Sequence, residues 1–199
     1  RGREACGEKR RRSGQYRGTL LIVTQVILGL GSNTSFCGKP PVELLGCACA
    51  QLADVLSSCV FSSVYRTKAM YVTDQDDFYN MVVRGFADES VTPHSLLDEV
   101  HRIEALYGRN REKEQRFGPR PLDIDIEVFG NETVNDGTLQ IPHPRMHERA
   151  FVLIPLLEIL SDSADVVMRN TYAAYLKRLP DQGVRMYLPV KDFVIPSEA

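Results

Sequence analysis

No stretch of this sequence approaches the roughly 18 consecutive apolar residues that a membrane-spanning helix needs, so no segment reads as one. Leu20-Leu21-Ile22-Val23 is also too short for the core of a signal peptide. The charge shows no strong excess of either sign: a net −2 argues against general nucleic-acid binding, although basic residues gather at the start and around 109–120. Zinc-type cysteine spacing is missing too. Cys6, Cys37, Cys47, Cys49 and Cys59 are an odd number, and Cys47 and Cys49 face apart in a predicted helix, so reduced thiols and a cytoplasmic setting are expected. Two phosphate-binding loops are absent as well. Gly38-Lys39-Pro40 lacks the spacing of a Walker A loop, and Gly29-x-Gly31 lacks the third glycine of a dinucleotide fingerprint. Any nucleotide bound here must therefore have its phosphates held by arginine side chains and metal rather than by backbone amides.

What is present is ordinary in bulk: 43% hydrophobic and 25% charged residues suit one well-cored domain. Residues 1–24 carry a block of arginines without apolar periodicity and read as a basic, disordered arm. Residues 25–199 are expected to form a single domain. Val26 to Leu30 reads as a buried strand ended by Gly31-Ser32-Asn33, whose small residues allow close backbone approach. Leu45, Cys49, Leu52 and Val55/Leu56 recur at helical spacing and predict a helix over about 41–57. Strands are expected near 59–67 and 78–86. Thr92-Pro93 opens a second helix with the stripe Leu96/Leu97, Val100, Ile103 and Tyr107, which Gly108 stops. A fourth strand, a turn at Asn135-Asp136-Gly137 and helices over 145–160 and 170–179 complete the series. The order β-α-β-β-α-β predicts an α+β, ferredoxin-like sandwich: an antiparallel sheet with two helices on one face and added C-terminal helices.

The fourth strand carries the most informative residues. In Gly118-Pro119-Arg120-Pro121-Leu122-Asp123-Ile124-Asp125-Ile126, alternation projects Asp123 and Asp125 to one side while Leu122, Ile124 and Ile126 point to the other. Cα atoms about 7 Å apart let two carboxylates converge on one or two hard cations. A solvated acidic edge strand is the plainer alternative, and Glu127, continuing the same face, leans toward it. Against it, two like charges on one face repel unless a cation or an arginine lies between them. The cationic stretch from Arg109 through Arg111, Lys113 and Arg116 to Arg120 runs straight into this strand and could bracket phosphates as a closing loop.

Two further groups bear on a ligand. Phe78 and Asn80 share a face of the third strand, where an aromatic and an amide can stack a flat heterocycle and read its edge, and Thr67 ends the second strand nearby. Between Pro142 and Phe151 lie His143, Arg145, His147 and Arg149. His143 and His147 have the spacing of a zinc pair, yet Pro144 disturbs the helix between them and no third ligand is evident, so zinc is not expected.

Together these residues resemble the 6-hydroxymethyl-7,8-dihydropterin pyrophosphokinases of folate biosynthesis. The likeness spans about 26–160 and rests on Leu30-Gly31-Ser32-Asn33, Tyr65-Arg66-Thr67, Phe78-x-Asn80, Arg102-Ile103-Glu104 with Gly108-Arg109, Arg116-Phe117-Gly118-Pro119-Arg120-x-x-Asp123-x-Asp125, and Pro142-His143 through Arg149-x-Phe151. The resemblance implies a transferase that moves the terminal pyrophosphate of ATP to the pterin hydroxymethyl group and releases AMP. It implies that Asp123 and Asp125 hold two Mg²⁺ ions, and that Arg111 and Arg120 join them as catalytic residues. Phe78 and Phe151 would sandwich the pterin, with Asn80 and Thr67 reading its edge. His101, Glu104, Arg109, Arg111, Arg116, Arg120, Ile126, His143 and Arg149 would serve ATP, Ile126 through its backbone.

Some positions depart from the pattern. The loop between Arg111 and Arg116 is one residue longer, Phe117 replaces a Trp, Pro144 an aromatic, Thr138 an Arg, and Lys68-Ala69 a Pro-rich pair. A monomer is expected, with association with other folate enzymes as a further possibility and no nucleic-acid or membrane partner. Two other readings stay open on the residues alone: a non-catalytic phosphate-binding module and a metal-dependent phosphohydrolase.

Overall fold

The structure, a computed structural model, describes residues 23–69, 74–111, 118–161 and 163–197. Most of the arm at 1–24 and Lys113, Arg116 and Phe117 of the cationic stretch lie outside these residues. The expected α+β, ferredoxin-like order is present. Strand β1 (Val23–Ser32) is central, flanked antiparallel by β4 (Phe78–Asp88) and β5 (Asp123–Phe129). On the far side of β4 pair β2 (Ser57–Phe61) and β3 (Val64–Thr67).

Local chemistry sets the two helices of the ferredoxin-like unit. Helix α1 (Pro41–Val55) starts with Pro at its first turn and buries Leu44, Leu45, Ala48, Cys49 and Leu52. Helix α2 (Pro93–Leu106) opens on a reciprocal cap, in which Thr92 Oγ accepts from Ser95 N–H at 3.1 Å and Ser95 Oγ accepts from Thr92 N–H at 2.9 Å. Gly108, with φ +88°, reverses the chain after it, and any Cβ there would run into the Phe36 ring. Both helices pack on one face of the sheet, against Val26, Leu28, Leu30, Met81, Val83, Ile124 and Ile126.

The strand expected over 59–67 is broken in two. Ser62 Oγ accepts from Val82 N–H at 2.9 Å, while Ser63 gives its N–H and hydroxyl to Glu158, so side chains take over ladder bonds at the break. The helix expected over 145–160 is also shorter. A single 3₁₀ turn at Met146–Glu148 is followed by Arg149 in extended geometry, and only then by α3 (Ala150–Ile159). The hairpin expected at 135–137 joins β6 (Val134–Asn135) to β7 (Gln140–Ile141), with the Asp136 carboxylate accepting from the Thr138 and Leu139 N–H groups.

The C-terminal helix expected over 170–179 is α4 (Val166–Arg178). An unexpected strand, β8 (Arg185–Leu188), pairs with β3 and becomes the outer edge of the sheet. Helix α3 covers Ile27, Val82 and Val128, the lower part of the sheet's second face. Among the described residues, the upper part of that face stays open.

Candidate active site

The open part of the face is floored by glycine. Register places Asn80, Gly31 and Asp123 abreast on β4, β1 and β5, and one step lower Val82, Gly29 and Asp125. Directly paired residues in a sheet point the same way, so missing side chains on the middle strand leave a trough between the outer two. Its walls stand two strand spacings apart, about 10 Å. The resulting cavity of about 220 Å³ is lined by Thr67, Phe78 and Asn80 on one side, by Asp123, Asp125, Arg109, Arg111 and Arg120 on the other, and by Arg149 and Phe151.

The carboxylates do not stand bare. Asp123 accepts from Arg109 and, at 2.9 Å, from Arg120, while Asp125 accepts from Arg149 at 2.8 Å. Burial works against ionisation of Asp123, but the guanidiniums of Arg109 and Arg120 hold its carboxyl below the ordinary value. The like-charge repulsion that argued for a ligand is thus met by arginine. A plain acidic edge strand would not gather three guanidiniums on two carboxylates.

Glu104 is the second anchor of the cationic side. It is buried and accepts from Arg109, from Arg111 at 2.5 Å and from the Ile124 N–H at 2.8 Å. Burial pushes its carboxyl pKa up despite the nearby arginines. It therefore fixes both arginines to the strand that carries the aspartates. With His101, Arg109 and Arg111 it also lines a second hollow beside the first. Burial lowers the His101 pKa, and the Arg111 and Arg109 charges lower it further.

On the opposite wall, the Asn80 amide donates to Thr67 Oγ at 3.0 Å, so this pair is already oriented. Arg120 lies 6.0 Å from the centre of the Phe78 ring and Arg149 5.6 Å from that of Phe151. Each aromatic therefore has a guanidinium beside it. Ile126 lines neither cavity. Its side chain is in the helix-side core, which leaves only its backbone for a ligand.

His143 borders the carboxylates: its Nε2 lies 3.9 Å from Asp125 and its Nδ1 3.8 Å from Glu127. Burial lowers its pKa, partly offset by Asp125. His143 N–H also donates to the Glu127 carbonyl at 2.9 Å, which ties its loop to β5.

Two residues carry more than sequence reasoning gave them. Asn33 was expected only as part of a turn, yet its buried side chain accepts from Arg120 N–H at 2.8 Å and donates to Gln75 at 3.1 Å. It joins the segments on both sides of the trough, and an amide that can donate and accept at once was the available signal. Glu127 was expected on the aspartate face and is there, but fully buried, and burial with the Asp125 charge raises its pKa strongly.

The donor set fits hard cations and polyphosphate. The acids supply only oxygen ligands, and the arginines beside them supply guanidinium donors for phosphate oxygens. No group of three His, Cys, Asp or Glu stands close enough among the described residues to hold a metal by itself. Substrate oxygens would have to complete the coordination.

Comparison with known proteins gives a consistent picture. The family model described as 7,8-dihydro-6-hydroxymethylpterin-pyrophosphokinase matches residues 27–161. A 2-amino-4-hydroxy-6-hydroxymethyldihydropteridine pyrophosphokinase of Methylorubrum extorquens is 40% identical over 164 residues, 81% of this chain and 98% of that protein. A folic acid synthesis protein of Pneumocystis carinii is 39% identical over 128 residues, 64% of this chain but only 17% of its own length. Among solved structures, a Plasmodium falciparum HPPK-DHPS chain superposes with a TM-score of 0.58 at 15% identity, over 81% of this chain and 46% of that one. The last likeness speaks for the fold alone.

Proposed function

We propose a mechanism from one premise: this chain belongs to the 7,8-dihydro-6-hydroxymethylpterin-pyrophosphokinase family, whose reaction carries the pyrophosphate of ATP to the hydroxymethyl group of the dihydropterin in folate biosynthesis. The observation that carries the mechanism is the glycine-floored row Asn80–Gly31–Asp123. It brings a heterocycle-reading wall and an acidic wall within one small molecule's length of each other.

In this reading Phe78 and Phe151 stack the pterin, while Asn80, already oriented by Thr67, reads its edge. The hydroxymethyl group then points across Gly31 toward the aspartates. Its oxygen attacks the β-phosphorus in line, the bond from that phosphorus to the α-bridging oxygen breaks, AMP leaves, and the hydroxyl proton passes to solvent. No covalent bond to the protein forms. Asp123 and Asp125 would hold two Mg²⁺ ions, which when bound neutralise triphosphate charge and ease deprotonation of the attacking hydroxyl.

The arginines change partners in the process. Arg109, Arg120 and Arg149 neutralise the two aspartates in the free protein. When a triphosphate enters, the guanidiniums turn to its oxygens and release the carboxylates to their cations, so the charge of the site stays balanced throughout. Arg120 is assigned to the charge that builds in the transition state. Arg111, His101, Glu104 and the Ile126 backbone serve the nucleotide side, with His143 and Arg116 on the phosphates. The chain acts as a single domain over 25–199, as a cytoplasmic monomer that can associate with other folate enzymes.

Incubation with ATP, Mg²⁺ and hydroxymethyl dihydropterin tests this reading. AMP and pyrophosphorylated pterin should appear in equal amounts by chromatography. ADP or free phosphate in their place would reject it.

A further inference from the structure

Two glutamates, Glu104 and Glu127, are buried among the described residues, and a third, Glu158, is engaged although it lies at the surface. Glu158 accepts from Ser63 N–H, Ser63 Oγ and Tyr65 Oη, and Glu104 from two arginines and a backbone N–H. Glu127 is different. Its carboxyl is fully buried, and neither oxygen has a hydrogen-bond partner among the described residues. Burying such a group without donors is costly, and an apolar side chain of the same length would serve the packing better.

The backbone explains where this carboxyl points. Ile27 pairs with Val128 and Leu28 with Ile126, so β5 carries one extra residue at Glu127. The bulge leaves Val128 free to pack under α3 with Ile27 and Val82. Glu127 instead folds back over the middle strand: its Oε1 lies 2.9 Å from the place a Cβ would take on Gly29. Gly29 is the register partner of Asp125, and Glu127 lines the cavity beside it.

Two donor-bearing neighbours, the Arg149 guanidinium and the Tyr172 hydroxyl, act on Glu127 through space without hydrogen-bonding to it. His143 Nδ1 lies 3.8 Å from Glu127 Oε2, but that nitrogen accepts from the Arg145 N–H at 3.2 Å and so has no proton to give. Both oxygens thus lack a hydrogen-bond donor, on a side chain that lines the same hollow as Asp125.

We propose that Glu127 is a further acid of the cation site, set one water beyond the ligand pair, where it accepts hydrogen bonds from water on the divalent cation that Asp125 binds. The proposal rests on the cation role given above to Asp123 and Asp125. Among the described residues no three acidic or imidazole side chains converge on one point, and the proposal accordingly gives Glu127 a place behind the ligand pair. Glu127 is thus a positioning residue, whose carboxyl oxygens orient water beside two ligands that three arginines offset.

Mn²⁺ serves as the probe. Its binding to the full chain, with a non-hydrolysable ATP analogue present, is read by the enhancement of water-proton relaxation over that of the Mn²⁺–analogue complex alone, alongside thermal unfolding without ligand. The wild type should bind, and Asp125→Ala should not. Glu127→Gln and Glu127→Met should weaken Mn²⁺ binding by about 10- to 100-fold, while the Glu127→Met chain unfolds at or above the wild-type temperature.

Unchanged Mn²⁺ affinity in both Glu127 variants, with binding still lost in Asp125→Ala, would overturn the proposal and leave the cation reading intact. Weaker binding accompanied by a lower unfolding temperature in both would also overturn it, since Glu127 would then be a packing residue. A wild-type chain that takes up no Mn²⁺ would remove the cation reading itself, and this proposal with it.

Discussion

On the α1/α2 side of β5, Ile124 and Ile126, with Leu122 just before them, are buried among apolar neighbours from two helices and the central strand. On the other side of the same few residues, Asp123 and Asp125 stand in a hollow among arginines. Apolar burial is non-directional and accepts many partners of the right volume. The charged side accepts few, because each carboxylate needs an opposing charge at hydrogen-bond distance. The twofold alternation of a strand lets these demands be met independently, one residue apart. Substitutions on the two sides should therefore separate stability from chemistry.

The widest separation is expected at Asp125. Asp125→Ala should lower AMP formation by at least about a hundredfold while the far-ultraviolet circular dichroism spectrum stays as in the wild type. An unfolded variant would mean that the charged face also holds the fold, and the comparison would fail. Across the strand, Ile124→Ala opens a cavity beside α2 and should cost about 2–5 kcal/mol in urea unfolding. Activity of the fraction still folded should be nearly unchanged. A loss of turnover at full folding would show that the two faces communicate.

The third test stays on the open face but moves to the other wall of the trough. Phe78→Ala should weaken pterin binding by about 1–3 kcal/mol and leave binding of an ATP analogue close to the wild-type value, both read by calorimetry. Equal losses for the two ligands would put Phe78 outside the stacking role.

Elements whose signal is local are legible in the amino-acid sequence itself. The stripe of Leu45, Cys49 and Leu52, the Thr92-Pro93 start and Gly108 stop of α2, and the alternation around Asp123 all depend on residues a few positions apart. What stays hidden depends on partners far along the chain. Nothing in Ser62-Ser63 announces that Glu158, ninety-five positions on, will take the Ser63 N–H and hydroxyl groups and break the strand. The four residues of β8 lack alternation and become a strand only because β3 offers an unpaired edge.

The site divides in the same way. Asp123 and Asp125 are readable from spacing, and Phe78 with Asn80 from their shared face. The roles of Thr67, Phe151, Glu104 and Arg149 come from family resemblance, and the hollow has Thr67, Arg149 and Phe151 in its lining. The bridging role of Asn33 and the full burial of Glu127 escape because a cross-loop amide bond and a β-bulge leave no periodic trace. The arginine at 149 is expected within a helix, but its extended backbone sets it just ahead of α3, where its guanidinium reaches Asp125.

The late position of β8 has a consequence for how the molecule assembles. Until residues 185–188 have been synthesised, β3 presents open N–H and C=O groups to whatever lies nearby. Two helices, α3 and α4, must emerge before that edge can be closed. A nascent chain halted between α4 and β8 would carry a nearly finished catalytic face beside an adhesive border, so premature termination there should yield aggregates rather than a truncated enzyme.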